Sequence, residues 1–198
     1  MPLLLLAALL APAAIEGPGF SFGNRPPVIR GAGPAGGDEA AVTEVHAALD
    51  GAGLVIRFTF DRPVQRAMYA ANGAPVSGRL RAVLYVDTDD NPKTGLAAGP
   101  KDPRTGADRR LEVGVIAVGA DPDENLGASA VVTAALSDLA GKSRRTRWRG
   151  DTTATPRQVS TGGRWVEVRL DGERGPFKRT ARLVLADGER FLEGRLGP

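Results

Sequence analysis

Val42-Thr43-Glu44-Val45-His46-Ala47-Ala48-Leu49-Asp50-Gly51-Ala52-Gly53-Leu54-Val55-Ile56-Arg57-Phe58-Thr59-Phe60 decides the fold class of this chain. Val45, Ala47 and Leu49 share one parity, and Glu44, His46 and Ala48 take the other. Beyond Asp50-Gly51 the alternation resumes, with Leu54, Ile56, Phe58 and Phe60 set against Val55, Arg57 and Thr59. Successive side chains of a strand point to opposite faces, so a period of two marks two half-buried strands. Their short glycine-containing connection joins them as a β-hairpin.

Working outward from the hairpin, the same reading predicts strands at 80–86, 110–118, 130–136, 145–149, 164–170 and 181–186, with a last one at 191–196. Each is bounded by Gly, Pro, Asp or Asn, the residues that turn a chain. Residues 80–86 are apolar on both parities, which assigns them to the middle of a sheet. Residues 64–71 read as a brief helical turn, and no long amphipathic helix separates the strands. Many short strands without helices between them predict an all-β fold, an antiparallel β-sandwich.

Length and composition set the organisation. A chain of 198 residues with 42% hydrophobic residues is long enough for one domain with its own core. Residues 1–14 hold an apolar run followed by Ala11-Pro12-Ala13, the small-x-small form of a signal-peptidase site, although no Lys or Arg precedes the run. They are read as a signal peptide, too short to span a bilayer, which predicts a periplasmic or secreted protein. Residues 15–40 are dense in Gly and Pro and are expected to form a linker or N-terminal arm, with Phe20, Phe22, Val28 and Ile29 able to pin part of it down. Residues 41–198 form the predicted sandwich domain.

The sequence has no cysteine, which excludes disulfides, zinc–thiolate sites and thiol nucleophiles. Its 26 basic residues nearly match 23 acidic ones, so the net charge of +3 gives no argument for a nucleic-acid partner.

Oxygen ligands concentrate in Asp87-Thr88-Asp89-Asp90-Asn91-Pro92-Lys93-Thr94-Gly95, which leaves the end of the 80–86 strand. Calcium takes several oxygens, commonly from alternating Asp and Asn in a tightly curved loop, and Asp87, Asp89 and Asn91 have that alternation. The loop is not an EF-hand, because Pro92 stands at the sixth position and Ala98 at the twelfth. Gly106-Ala107-Asp108 precedes the 110–118 strand, and pairing of that strand with 80–86 would return Asp108 to the end where Asp87 lies. Asp102 is a weaker candidate. The same residues also serve as ordinary turn formers, since Asp and Asn bond to their own backbone.

The run of strand, Asp87-Thr88-Asp89, Asn91-Pro92, Thr94-Gly95, Gly106-Ala107-Asp108 and a strand with Leu111-Glu112-Val113 resembles secreted bacterial β-sandwich domains. These are similar to the superfamily of DOMON and family-nine carbohydrate-binding modules. The resemblance covers 80–113 by motif and the remainder by strand pattern. It implies a jelly-roll-like sandwich with a structural calcium ion near one sheet end, held by Asp87, Asp89 and Asp108, with Asn91 as a further ligand. Some relatives carry a sugar or haem pocket. Haem is not expected here, because beyond the leader only Met68 and His46 are available as axial ligands and His46 falls on the polar parity.

Other features allow two readings each. Asp121, Asp123 and Asn125 repeat the alternating oxygens, as a second ion site or as a polar hairpin loop. Lys142, Arg144, Arg145, Arg147 and Arg149 surround Trp148 and form either an acidic-ligand stripe or a solvated outer face. Trp165 shares parity with Glu167 and Arg169, so it either stacks on a sugar or packs beneath a loop.

For catalysis, a Ser-His-Asp arrangement would depend on His46, the single histidine, without a nucleophile-elbow motif. No P-loop or dinucleotide fingerprint is present. The expectation is a noncatalytic, exported, calcium-binding domain that binds an unknown glycan or protein. The alternatives are a carbohydrate-binding module and, behind it, a carboxylate-dependent glycoside hydrolase.

Overall fold

In the computed structural model, which describes residues 15–16, 19–31, 38–118, 129–139, 158–170 and 177–197, the elements follow in chain order. They begin with β1 (Ile15–Glu16), β2 (Ile29–Arg30), β3 (Val42–Asp50), β4 (Gly53–Phe60), α1 (Val64–Met68) and β5 (Arg81–Asp87). There follow β6 (Arg109–Val118), β7 (Ser129–Asp138), β8 (Gln158–Gly162), β9 (Trp165–Leu170), β10 (Arg182–Asp187) and β11 (Arg190–Arg195).

The expected hairpin is β3–β4, closed by the pair Asp50 and Gly53 around Gly51-Ala52. Gly51 takes φ 61°, a left-handed conformation that glycine adopts without steric cost. Gly53 is required for a different reason: a Cβ there would lie 2.6 Å from the Leu170 carbonyl oxygen on the neighbouring strand. A register shift between Val42 and Glu44 breaks the strict alternation, so that Val42 and Val45 are both buried.

The strands form two sheets, ordered β1-β8-β9-β4-β3-β2 and β11-β10-β5-β6-β7. Pairing is antiparallel throughout except for the two-residue β1 beside β8. The fold is therefore an all-β sandwich, and one hydrophobic core fills the space between the sheets. Val45, Leu54, Ile56, Phe58, Val166 and Val168 of the first sheet join Leu84, Val86, Leu111, Val113, Leu183 and Leu185 of the second in that core. Each such side chain contributes about 1.5–3 kcal/mol relative to exposure, which is why the period-two pattern fixes which face turns inward.

Strand β5 is central, between β10 and β6. Its outward Val83 and Tyr85 are buried as well, in a second cluster with Ala107, Leu139 and Val184, joined by Leu96 from the loop before β6. That cover explains why both parities are apolar.

Two differences from the sequence reading have simple causes. Strand β8, Gln-Val-Ser-Thr-Gly, was not predicted, because its five residues hold a single large apolar side chain, Val159. It is placed by pairing with β9, not by its own hydrophobicity. The 15–40 segment also contributes structure: Ile29 and Arg30 pair with Val45 and Glu44, and Phe22 and Ile29 are buried. Phe20 and Phe22 cap Ala48 and Val55 on the outer face of the first sheet. The signal-peptide residues 1–14 and the predicted 145–149 strand lie outside the described residues.

Candidate functional site

The aspartate loop, residues 88–108, connects two adjacent strands of the second sheet. Because β5 and β6 run antiparallel, with Val86 opposite Arg109, the loop must return to the point from which it left. The Asp108 N–H donates to the Val86 carbonyl at 2.9 Å, which sets Asp108 beside Asp87. The loop is drawn tight by two glycines. A Cβ on Gly95 (φ 63°) would stand 2.2 Å from the Ala107 carbonyl oxygen, and one on Gly106 (φ 91°) 2.8 Å from Pro92 Cα and 3.0 Å from Asp87 Oδ2. Asp90, with φ 52°, completes the bend; Asp is one of the few residues that tolerates this region.

Carboxylate oxygens of Asp87, Asp89 and Asp108, one from each, lie within 4.8 Å of one another. Asp87 is almost wholly buried, at 2% exposure. Calcium–oxygen bonds of about 2.3–2.6 Å hold two ligands no more than about 5 Å apart, so the spacing suits a shared ion. These three side chains can hold a metal ion, and among the described residues no other group of three His, Asp or Glu converges in this way.

The remaining contacts orient the triad. Asp108 Oδ2 accepts from the Thr88 N–H at 2.9 Å and the Thr88 hydroxyl at 2.7 Å. The Asn91 N–H is shared between Asp87 Oδ1 at 3.2 Å and Asp89 Oδ1 at 3.1 Å. The Thr94 hydroxyl lies 3.0 Å from Asp89 Oδ1. Asn91 thus serves the triad through its backbone, while its Oδ1 accepts the Lys93 N–H at 3.1 Å in an Asx turn. Turn bonding and carboxylate convergence coexist in the one loop. Among the described residues, Asp89 Oδ2 and Asp108 Oδ1 accept no hydrogen bond.

Three cations reach this loop from far along the chain: Arg195, whose Nη1 pairs with Asp90 Oδ2, and Arg182 and Lys178 beside the triad. Arg182 stands opposite Asp87 in the β10–β5 register, and its Nη2 lies 3.3 Å from Asp87 Oδ2. The same guanidinium donates to the Pro103 carbonyl at 2.7 Å and to the Thr105 carbonyl, which ties the loop to the sheet. Lys178 Nζ donates to the Asp89 carbonyl at 3.0 Å. None of the three is legible from sequence, because nothing local to them signals the site; knowledge of the β5–β10 pairing would have found Arg182. Burial pushes the Asp87 carboxyl above its ordinary range, and the neighbouring Asp108 charge adds to this, while the Asn91 N–H and Arg182 oppose it.

The other sequence candidates are dispersed. Asp102 is taken up by Arg104, 2.6 Å away, whose hydrogen bond holds the Asp102 carboxyl below its ordinary range. Trp165 lies on the outer face of the first sheet, half-buried, with the Arg57 guanidinium 4.6 Å from its ring. Gly19 of the N-terminal segment passes beside its ring. Asp121, Asp123 and Asn125, and the basic stretch 142–149 with Trp148, lie outside the described residues.

Beside the triad an open pocket of about 600 Å³ is lined by Asp87, Lys101, Arg182, Phe191 and Glu193, among others. Among the described residues no helix is long and apolar enough to cross a membrane. No protein-family model matches this chain, and neither the curated proteins nor the solved structures contain a significant match.

Proposed function

We propose that this protein is a noncatalytic, exported β-sandwich domain that binds calcium at Asp87, Asp89 and Asp108 and serves a larger system as a binding or accessory domain. One observation carries the reading: carboxylate oxygens of three residues converge within 4.8 Å, yet among the described residues one guanidinium, that of Arg182, is paired with them. A divalent cation would offset the surplus negative charge and use Asp89 Oδ2 and Asp108 Oδ1, which accept no hydrogen bond from the described residues. Calcium suits the site better than magnesium, because crowded protein oxygens and a flexible loop match its larger shell. The resemblance to the DOMON and family-nine modules points the same way. A noncatalytic role is supported by the way the carboxyls are engaged by backbone N–H groups of their own loop.

Thermal melts of the chelated protein, repeated with calcium and with magnesium, test this for wild type and Asp87→Ala/Asp89→Ala. Free calcium at about one hundred times its dissociation constant stabilises the fold by about 2.7 kcal/mol. The shift is expected in wild type, selective for calcium and lost in the double variant. Wild type showing no shift, with flat calorimetry, overturns the ion site.

A second reading, a carbohydrate-binding module, is favoured by the pocket beside the triad, where Phe191, with the Arg104 guanidinium 4.9 Å from its ring centroid, lies among polar groups. It predicts retardation in polysaccharide affinity gels that Phe191→Ala reduces and Trp165→Ala leaves in place. Migration unaltered across a broad glycan panel removes it.

A further inference from the structure

The outer face of the first sheet carries a second polar arrangement, unrelated to the aspartate loop. His46, Arg57 and Glu167 occupy successive cross-strand positions on β3, β4 and β9. Residues 19–22 lie across them and are held by their backbone. The Phe20 N–H reaches both Glu167 carboxylate oxygens at 3.0 Å, and Arg57 Nη2 donates to the Phe20 carbonyl and to Glu167 Oε2, each at 2.7 Å. The Arg57 guanidinium sits 4.8 Å from the Phe22 ring and 4.6 Å from the Trp165 ring. A Cβ on Gly19 would come within 3.0 Å of Trp165, so the segment passes directly beside that indole.

His46 lies at the other edge of this contact. Its ring centroid is 5.5 Å from that of Phe22, tilted by 50°, and its Nδ1 is buried and has no hydrogen-bond partner among the described residues. A charged imidazole would present an N–H donor there with no acceptor. The charged groups facing it are Glu44 on its own strand, Arg57 on β4 and Arg30 on β2, with Arg30 3.6 Å from Glu44. Glu167, one strand further, is already engaged by Arg57 and Phe20. Burial holds His46 below its ordinary value; Glu44 opposes this, and Arg57 and Arg30 reinforce it.

We propose that His46 is an acid-operated release for residues 19–22: protonation of its imidazole beneath Phe22 loosens the segment from the outer face of the first sheet. The docked segment selects neutral His46, whereas the released one lets the ring hydrate and charge. Docking is therefore undisturbed above the free histidine value of 6.5 and weakens as the pH falls below it. The docking constant drops about tenfold for each unit by which the docked and free values differ. Release would uncover the apolar cluster of Phe20, Phe22, Ala48 and Val55.

Trp165 reports the event in the full chain once Trp148→Phe removes the other tryptophan. Acrylamide quenching is compared near about pH 7.5 and about pH 5 at fixed calcium, with far-UV circular dichroism confirming the fold at both. Quenching is expected to rise on acidification by about twofold or more, to stay low in added His46→Gln, and to be high at both pH values in added Phe22→Ala. His46→Asn serves as a second neutral variant should the glutamine fail to fold. A flat response in the His46-containing protein, a rise that persists in the neutral variants, or no effect of Phe22→Ala each overturns the proposal.

Discussion

The two outer faces of the sandwich are each covered by irregular chain, and each cover is organised by a carboxylate at 2% exposure: Glu167 under residues 19–22 and Asp87 under the aspartate loop. The resemblance ends at charge. Glu167 has its own cation, Arg57, at 2.7 Å, and a backbone N–H that reaches both of its oxygens. Asp87 has Arg182 at a longer 3.3 Å and shares its neighbourhood with Asp89 and Asp108. A buried carboxylate with a matched cation is electrostatically complete; three carboxylates with one guanidinium paired to them among the described residues are not. The first arrangement holds a segment in place, and the second could hold a metal ion.

Three perturbations sharpen this contrast. The largest effect is expected from Arg57→Leu, which leaves Glu167 without its cation. Breaking a buried pair costs about 3 kcal/mol, an upper figure here because release of residues 19–22 would let water reach Glu167. Urea unfolding should give this loss equally with calcium and with chelator.

Next comes the same isosteric change at the two sites, with opposite outcomes in chelated protein. Glu167→Gln should destabilise by about 1–3 kcal/mol, since it removes a satisfied, charge-assisted network. Asp87→Asn should be neutral or stabilising by about 1 kcal/mol, because it relieves a buried like-charge contact, and it should abolish the calcium increment. Equal losses at both sites would end the distinction between them.

The smallest effect is the pH dependence of chelated wild type relative to Asp87→Asn. The Asp87 carboxyl is raised in the fold above its ordinary 3.8, so between that value and the folded one the native state holds the extra proton. Its contribution to stability therefore falls as pH rises through that window. Calcium, which binds the ionised form, should reverse the sign. Melting temperatures across the acid range, taken as the difference between the two proteins, check both directions.

Much of the fold was legible because it rests on local periodicity. Alternation in 42–60 marked the hairpin, and apolar residues on both parities of 80–86 marked the strand that proves central. Strand β8 was not legible, since four of its five residues carry no large apolar side chain and its neighbour β9 defines it. At the site, the aspartate spacing and the return of Asp108 could be read, because an antiparallel connection must end where it began. The partners Arg182 and Lys178 could not, because their spacing from the loop in sequence says nothing of their distance in space.

The sequence by itself determined the sandwich, its inward faces and a loop rich in oxygen ligands, because these follow from the two-residue period of strands and the backbone chemistry of Asp, Asn, Gly and Pro. Tertiary structure alone decided which carboxylates share a point, which arginine faces each, and that Trp165 and His46 lie beside a segment from the chain's beginning. Those outcomes depend on strand order and register between distant segments, where burial and charge pairing, not local pattern, make the choice.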